Sequence, residues 1–158
     1  MSQVIFNKIV ELLEKEHANY EVLEHIPEGR CEEICKIRGH KLEEANKALV
    51  VRAKTSQGKK YFLLALRADQ RADFEKVGQF SDIRLSDPAK VLELTDCELG
   101  SVPPFSFNEN LKLVVDPLLL ENEFFWFNAG LLTKSIHLKT EDYIRITKPE
   151  IKDISKRE

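Results

Sequence analysis

Apolar residues recur at Val4, Ile5, Ile9, Leu12 and Leu13 with charged positions between them. That spacing is close to the helical period and predicts an amphipathic helix over 3–17 with one face on the core. Asn19 ends it. Tyr20 to Glu24 alternates apolar and polar side chains as a short strand, and Pro27, Glu28 and Gly29 then break the pattern. A second helix is predicted over Cys31 to Arg38, stopped by Gly39, and a further short one over Lys41 to Asn46. Ala48 to Lys54 and Lys60 to Leu66 are rich in β-formers, and the intervening Thr55-Ser56-Gln57-Gly58-Lys59 makes them an antiparallel hairpin. Helical spacing returns over Ala72 to Phe80. Ile83 to Leu85 reads as a strand, and Ser86-Asp87-Pro88 opens a helix to Leu94 with proline where its missing N–H costs least. Leu111 to Val115, Glu123 to Phe127 and Ser135 to Leu138 are three more strands. Thr140-Glu141-Asp142-Tyr143 starts the last helix.

Helices and strands interleave, yet the hairpin at Gly58 forces antiparallel pairing. The class expected is therefore α+β, with a central, mostly antiparallel and partly closed β-sheet surrounded by helices. No repeat and no Pro/Gly/Ser linker divides the 158 residues, so one domain over 1–150 is expected, followed by a charged tail at 151–158. G-x-G-x-x-G and G-x-x-x-x-G-K-[ST] are both absent, which removes the usual phosphate-cradling loops.

Composition narrows the function classes. A net charge of −3 supplies no global field for a polyanion, so any nucleic-acid contact must rest on a local patch. No apolar run approaches the roughly 18 residues of a membrane span, and the first residues lack a signal-peptide pattern. A cytoplasmic protein without a membrane segment is expected. Three cysteines, Cys31, Cys35 and Cys97, suit reduced thiols better than a disulfide framework. Cys31, Cys35 and His40 could suggest zinc, but the second ligand pair is missing, and no metal is expected.

Two features could carry chemistry. Gly100-Ser101-Val102-Pro103-Pro104-Phe105 places a glycine and two prolines between a helix and a strand, forming a rigid loop with exposed backbone amides. Such a loop also serves as a plain structural turn. Asn46-Lys47-Ala48-Leu49 sets Lys47 at a strand end, where a cation can orient a carbonyl or phosphate, or merely solvate the terminus. Asp116 holds the same position on another strand, or caps the turn at Pro117. Phe127-Asn128-Ala129-Gly130 closes a third strand.

His25, Arg38-Gly39-His40, Lys47-Ala48-Leu49, Gly100 to Phe105, Asp116 and Asn128-Ala129-Gly130 occur in the order and spacing found in the YbaK family of aminoacyl-tRNA deacylases. That family includes the editing domain inserted in bacterial prolyl-tRNA synthetases. The chain resembles it from about residue 20 to 146, most specifically in K-x-L at a strand start followed some fifty residues later by G-x-x-x-P. The resemblance implies a stand-alone, metal-independent enzyme without cofactor that hydrolyses the ester of a mischarged tRNA. It implies Lys47, Gly100 and Ser101 as catalytic residues. Lys47 would contact the carbonyl or the terminal phosphate, and amides near Gly100 and Ser101 would stabilise oxyanion charge. It further implies that His25, Val102, Pro103, Pro104, Phe105, Asp116, Asn128 and Gly130 bind substrate. No protein nucleophile is required, because the family uses a hydroxyl of the terminal ribose, or in some members the substrate's own thiol, to help the reaction.

The implied partners are the 3′ acceptor end of aminoacyl-tRNA and an aminoacyl-tRNA synthetase, with no DNA. Ala48 differs from the Lys-Asn of the alanine-acting subgroup, and Ser101 stands where several members have a second glycine. Arg30, Lys36, Arg38, Lys41, Arg52 and Lys54 are the basic residues expected nearest the site, as a path for the acceptor stem or as solvated surface. The rival reading is a non-catalytic module of the same fold that binds RNA, nucleotide or protein.

Overall fold

Helix α1 (Ser2–Lys15) buries Ile5, Ile9 and Leu13, spaced four residues apart along one stripe. Each contributes about 1.5–3 kcal/mol when withdrawn from water. The stripe packs beside β6 (Phe124–Leu131), as the periodicity requires. The structure, a computed structural model, describes residues 2–156.

The strands form two sheets. The smaller has the order β1 (Tyr20–Glu24), β7 (Lys134–Lys139), β6, all antiparallel. The larger has the order β4 (Asp82–Leu85), β2 (Asn46–Thr55), β3 (Gly58–Arg67), β5 (Leu111–Val115), β8 (Glu150–Ile151). Within it β4, β2 and β3 run antiparallel, while β5 and β8 add in parallel. The expected α+β class with mostly antiparallel pairing holds, but the strands divide into two sheets where one was expected. Residue Ala45 bridges them by pairing with Trp126.

The β2–β3 hairpin is buried on both faces, so its apolar runs are nearly continuous. Val50, Leu63 and Ala65 face the core shared with α1, β6 and β7. Val51, Ala53, Phe62, Leu64 and Leu66 face a second core beneath Val77 and Ile154. The hairpin turn is tighter than expected, with Ser56 and Gln57 alone outside the strands. Thr55 Oγ1 closes it by donating to the Gly58 carbonyl at 2.7 Å.

Helix α2 (Cys31–Arg38) ends on Gly39 at φ +78°, a left-handed conformation that suits glycine. Helix α3 (Pro88–Thr95) begins as the sequence indicates, with the Asp87 carboxylate accepting from Lys90 N–H at 2.9 Å. Helix α4 (Thr140–Thr147) buries Tyr143, whose hydroxyl donates to the Pro104 carbonyl at 2.7 Å.

Three local expectations are corrected. Residues 41–46 hold a single 3-10 turn, Leu42–Glu44, because Asn46 already belongs to β2. Residues 72–80 hold only the 3-10 turn Phe74–Lys76, since Ala72 is recruited into a bridge with Ser155. The stretch expected as a charged tail is docked through residue 156: Ile151 pairs with Val115, Ile154 is fully buried and Lys156 N–H donates to the Arg71 carbonyl. Positions 157 and 158 lie outside the described residues.

Candidate active site

Four elements meet around Arg38, the last residue of α2. Cys31, Ile34, Cys35 and Arg38 fall on one side of that helix, and Ile34 and Cys35 are buried. The same spacing carries the Arg38 guanidinium under the surface, where burial lowers its pKa to about 10. Among the described residues no carboxylate lies within ion-pair distance of it. Its partners are neutral. Nη1 donates to Asn128 Oδ1 on β6 and to Ser135 Oγ on β7, both at 3.1 Å, and Nε donates to His40 Nε2 at 2.7 Å. The ring of Trp126 lies 5.5 Å from the guanidinium, close enough for a cation–π contact.

These bonds fix the protons. His40 Nε2 accepts from Arg38, so the ring is neutral with its proton on Nδ1, which donates to the Lys41 carbonyl at 2.8 Å. Burial, aided by Arg38, lowers the His40 pKa in agreement with that state. His25 is held from both ring nitrogens. Its Nδ1 donates to the Ile26 carbonyl, and its Nε2 shares a hydrogen bond of 2.7 Å with the Ser135 hydroxyl, which also lies 3.3 Å from Asn128 Oδ1. Ser135 is fully buried. It orients His25 and is closed off from attack on any outside ester.

The network ends on the loop. Asn128 accepts from Arg38 through Oδ1, so its Nδ2 faces the Gly100 carbonyl and donates to it at 2.5 Å. Gly100 has φ +87°, and a Cβ there would stand 2.9 Å from the Gly29 Cα. Two bare backbones are therefore in contact, and an alanine at either position would separate them. Gly130, also at positive φ, donates its N–H to the Ser101 carbonyl at 2.9 Å. Among the described residues the Gly100 N–H donates to no acceptor.

The remaining loop residues sit differently from expectation. Ser101, Val102, Pro103, Pro104 and Phe105 are all buried, so the loop is packed, and Gly100 is its exposed member. Both the N–H and the hydroxyl of Ser101 donate to the Glu98 carbonyl, at 3.1 and 2.8 Å. The catalytic role expected of Ser101 is corrected to closing this turn, because its amide is already spent. Phe105 packs edge-on against Tyr143 and beside Phe127. Pro103 lines a small cavity with Ile5 and Phe107, toward α1. Val102 and Phe105 belong to the core and shape the loop from behind. Asp116 is fully buried, and its carboxylate accepts the backbone N–H groups of Leu118 and Ile154, both at 2.9 Å. Its expected contact with substrate is replaced by anchoring of the C-terminal segment.

Lys47 is half-buried on β2 opposite Leu66. Burial lowers its pKa, Arg71 adds to that shift, and Cys31 and Asp69 oppose it. The Cys31 thiol, in the first turn of α2, feels the charge of both Lys47 and Arg38, so α2 links the two cations. Burial raises the pKa of Cys31 and of Cys35, and both thiols are protonated at neutral pH. Lys47 also borders an open groove of about 700 Å³ that includes Leu49, Arg71, Phe74 and Lys156. Among the described residues no three of His, Cys, Asp and Glu group as a metal site.

A family model for the aminoacyl-tRNA editing domain matches residues 25–146. The chain belongs to this family. It is 43% identical over 152 residues to the multifunctional Ser/Thr-tRNA deacylase ProXp-y of Escherichia coli K12, covering 94% of this chain and 91% of that protein. The same identity and coverage hold for the ProXp-y of Escherichia coli O157:H7. Among solved structures, the hypothetical protein APE2540 superposes with a TM-score of 0.83 at 23% identity, covering 94% of this chain and 99% of that one. A candidate trans-editing enzyme for prolyl tRNA synthetase gives 0.76 at 24% identity, covering 96% and 97%. At those identities the structures speak for the fold, which is shared almost end to end.

Ser135 and Gly29 carry the geometry without having been assigned roles from sequence, and Arg38, expected on a path for the acceptor stem or as solvated surface, lies instead inside the network. Arg38 was signalled by lying on the apolar stripe of its own helix, where a cation has no business unless it is used. Ser135 and Gly29 gave no such sign.

Proposed function

We propose that this protein is a trans-editing deacylase that hydrolyses the ester of mischarged tRNA, with serine and threonine as the amino acids removed. The observation that carries this reading is the polar network of His25, Ser135, Arg38 and Asn128 seated against the bare backbone of Gly100, in a chain of the editing-domain family. Network and backbone together form a fixed polar surface that leaves the Gly100 N–H unspent among the described residues, a donor that suits an ester or a hydroxyl-bearing side chain. A site that hydrogen-bonds a hydroxyl rejects the analogue lacking it far more strongly than an apolar pocket rejects an extra methylene.

The reaction needs water at the carbonyl carbon. Attack forms a C–O bond and moves the carbonyl electron pair onto oxygen, and collapse expels the ribose oxygen, which leaves with a proton. The Gly100 N–H, which no acceptor among the described residues takes up, would meet the oxyanion, and Asn128 holds the next peptide of the loop through the Gly100 carbonyl. Lys47 supplies a cation in a partly dehydrated setting, where charge acts more strongly than in bulk water. The substrate is aminoacyl-tRNA, engaged at its 3′ end in the cytoplasm, and a synthetase is the natural source of the mischarged species.

A deacylation panel tests this. Purified protein is incubated with Ser-, Thr-, Ala- and Cys-tRNA carrying non-cognate pairings, and release of the amino acid is followed. Rapid loss of serine and threonine is expected, with alanine slower because it leaves the polar groups unpaired. Binding of every aminoacyl-tRNA without turnover would instead establish the non-catalytic module.

A further inference from the structure

The basic residues expected nearest the site are largely neutralised. Arg30 is paired with Glu28, Lys36 with Glu33, Lys41 with Glu43 and Arg52 with Asp82, while Arg38 is committed inside the network. Lys54 differs. It is exposed at the far end of the β2–β3 hairpin, directly opposite Lys59, with Lys60 next along the strand. Like charges facing each other across a hairpin destabilise it. Among the described residues none of the three has a carboxylate within 4 Å. Asp82, which stands opposite Lys54 on β4, is already held by Arg52 and Arg84.

Lys59 and Lys60 border a cavity of about 720 Å³ that also receives Lys90, Lys112 and Lys152. Of its three acidic residues, Glu93 is paired with Lys90 and Glu150 with Lys112. Glu109, also on its wall, is outside the ion pairs of the described residues, and the Lys152 ammonium donates to the Val77 carbonyl at 2.7 Å, so Lys59 and Lys60 are the cavity's unspent cations. A concentration of unneutralised lysines on a chain of net charge −3 is a local exception to the global field, and its complement is a polyanion.

Position in the fold decides which polyanion. Lys60 lies six residues along β3 from Leu66, the cross-strand partner of Lys47. At about 3.4 Å per residue the separation is about 20 Å. A stacked nucleic-acid strand carries one phosphate per roughly 3.4 Å, so that span corresponds to about six nucleotides. Six nucleotides back from the ester lie beyond the unpaired 3′ end of a tRNA, in its acceptor helix.

We infer that the hairpin end formed by Lys54, Lys59 and Lys60, with the adjoining lysine-lined cavity, holds the sugar–phosphate backbone of the acceptor helix while the ester lies at Gly100. This inference rests on the deacylase reading for its occupant. The lysines grip phosphates without reading sequence, which suits an enzyme that meets more than one tRNA.

The test compares wild type with K59E/K60E, a double substitution at exposed positions that leaves both cores untouched. Binding of uncharged tRNA is measured over a salt series, and deacylation is measured on aminoacyl-tRNA and on a seryl ester of a short CCA oligonucleotide. The variant is expected to bind tRNA about tenfold more weakly, with the slope of log K against log salt reduced by about 2. KM for aminoacyl-tRNA should rise about tenfold at constant kcat, and the short ester should be cleaved as by wild type. Unchanged tRNA affinity and slope would overturn the inference. So would equal loss on the short ester, which would mean a structural defect, or ATP binding by wild type that displaces no tRNA, which would mark a free-nucleotide site. Because the binding arm uses uncharged tRNA, a wild-type protein inactive on every mischarged tRNA would defeat the deacylase reading while leaving this measurement intact.

Discussion

The two ends of the β2–β3 hairpin both carry lysine, and they use it in opposite ways. At one end Lys47 is half-buried, its pKa lowered by dehydration, on a groove with Leu49, Arg71 and Phe74. At the other, Lys54, Lys59 and Lys60 are exposed and unpaired among the described residues. A charge that must act on one atom is dehydrated and fixed, at a cost in stability. A charge that must attract a backbone can stay hydrated and mobile, because its contribution comes from counterion release. Substitutions at the first end should therefore change kcat, and those at the second should change KM.

The largest effect is expected from Lys47→Ala, which should lower kcat by about a hundredfold or more, the scale of losing one preorganised electrostatic group. Its melting temperature should match wild type, since a half-buried cation is removed along with its dehydration cost. Equal kcat in the two proteins would detach Lys47 from the chemistry.

Gly100→Ala comes next and should damage both stability and rate. Its φ of +87° and the 2.9 Å approach to Gly29 make it cost about 2 kcal/mol, or roughly 4 to 8 °C in Tm. Restored stability in a Gly100→Asn variant, which tolerates positive φ better, would show that strain outweighs the backbone contact.

Arg38→Met should separate function from stability. Removing a buried guanidinium without a carboxylate partner is close to neutral for folding, yet Asn128 loses the bond that orients its amide, so kcat should fall about tenfold. A collapse in Tm comparable to that of Gly100→Ala would make Arg38 a structural residue instead.

The smallest effect is in pH. Burial lowers the pKa of His40 and of His137 below the ordinary histidine value near 6.5. The unfolded chain then binds protons in a range where the folded chain does not, so stability is full above about pH 6.5 and declines as pH falls through the lowered values. Carboxylates held low by arginine, such as Glu28 at about 2 beside Arg30, lose their contribution only at more acid pH, so the two windows separate. Urea midpoints at pH 7.5 and 5.5 should differ in wild type and differ less in His40→Asn. An identical difference in that variant would remove His40 from the account.

Much of the fold was legible because apolar period dictates it. The α1 stripe, the Asp87-Pro88 helix start and the Gly58 hairpin follow from local residue chemistry, and the structure keeps them. Division into two sheets was not legible, since strand pairing depends on distant partners such as Ala45 and Trp126. The helix read over 72–80 failed for the same reason: its spacing is helical, but the C-terminal segment claims its backbone. In the candidate site, the resemblance named His25, Asn128 and Gly100, which the structure joins in one network, and Lys47, which it sets on a neighbouring groove. It could not show that Ser101 and Asp116 had already spent their hydrogen bonds inside the protein, because satisfaction of a polar group is a property of coordinates and not of residue type.

We propose that the ester lies between Gly100 and Lys47. This placement is tested most directly by titrating the 15N-labelled protein with a non-hydrolysable analogue, 3′-seryl-amido-3′-deoxyadenosine, and following backbone amide and lysine side-chain resonances. The Gly100 amide and the Lys47 ammonium should shift together and saturate with one dissociation constant, while Lys59 and Lys60 stay still because the analogue lacks a phosphate backbone. Saturating shifts confined to the lysine-lined cavity, with Gly100 and Lys47 unmoved, would contradict it.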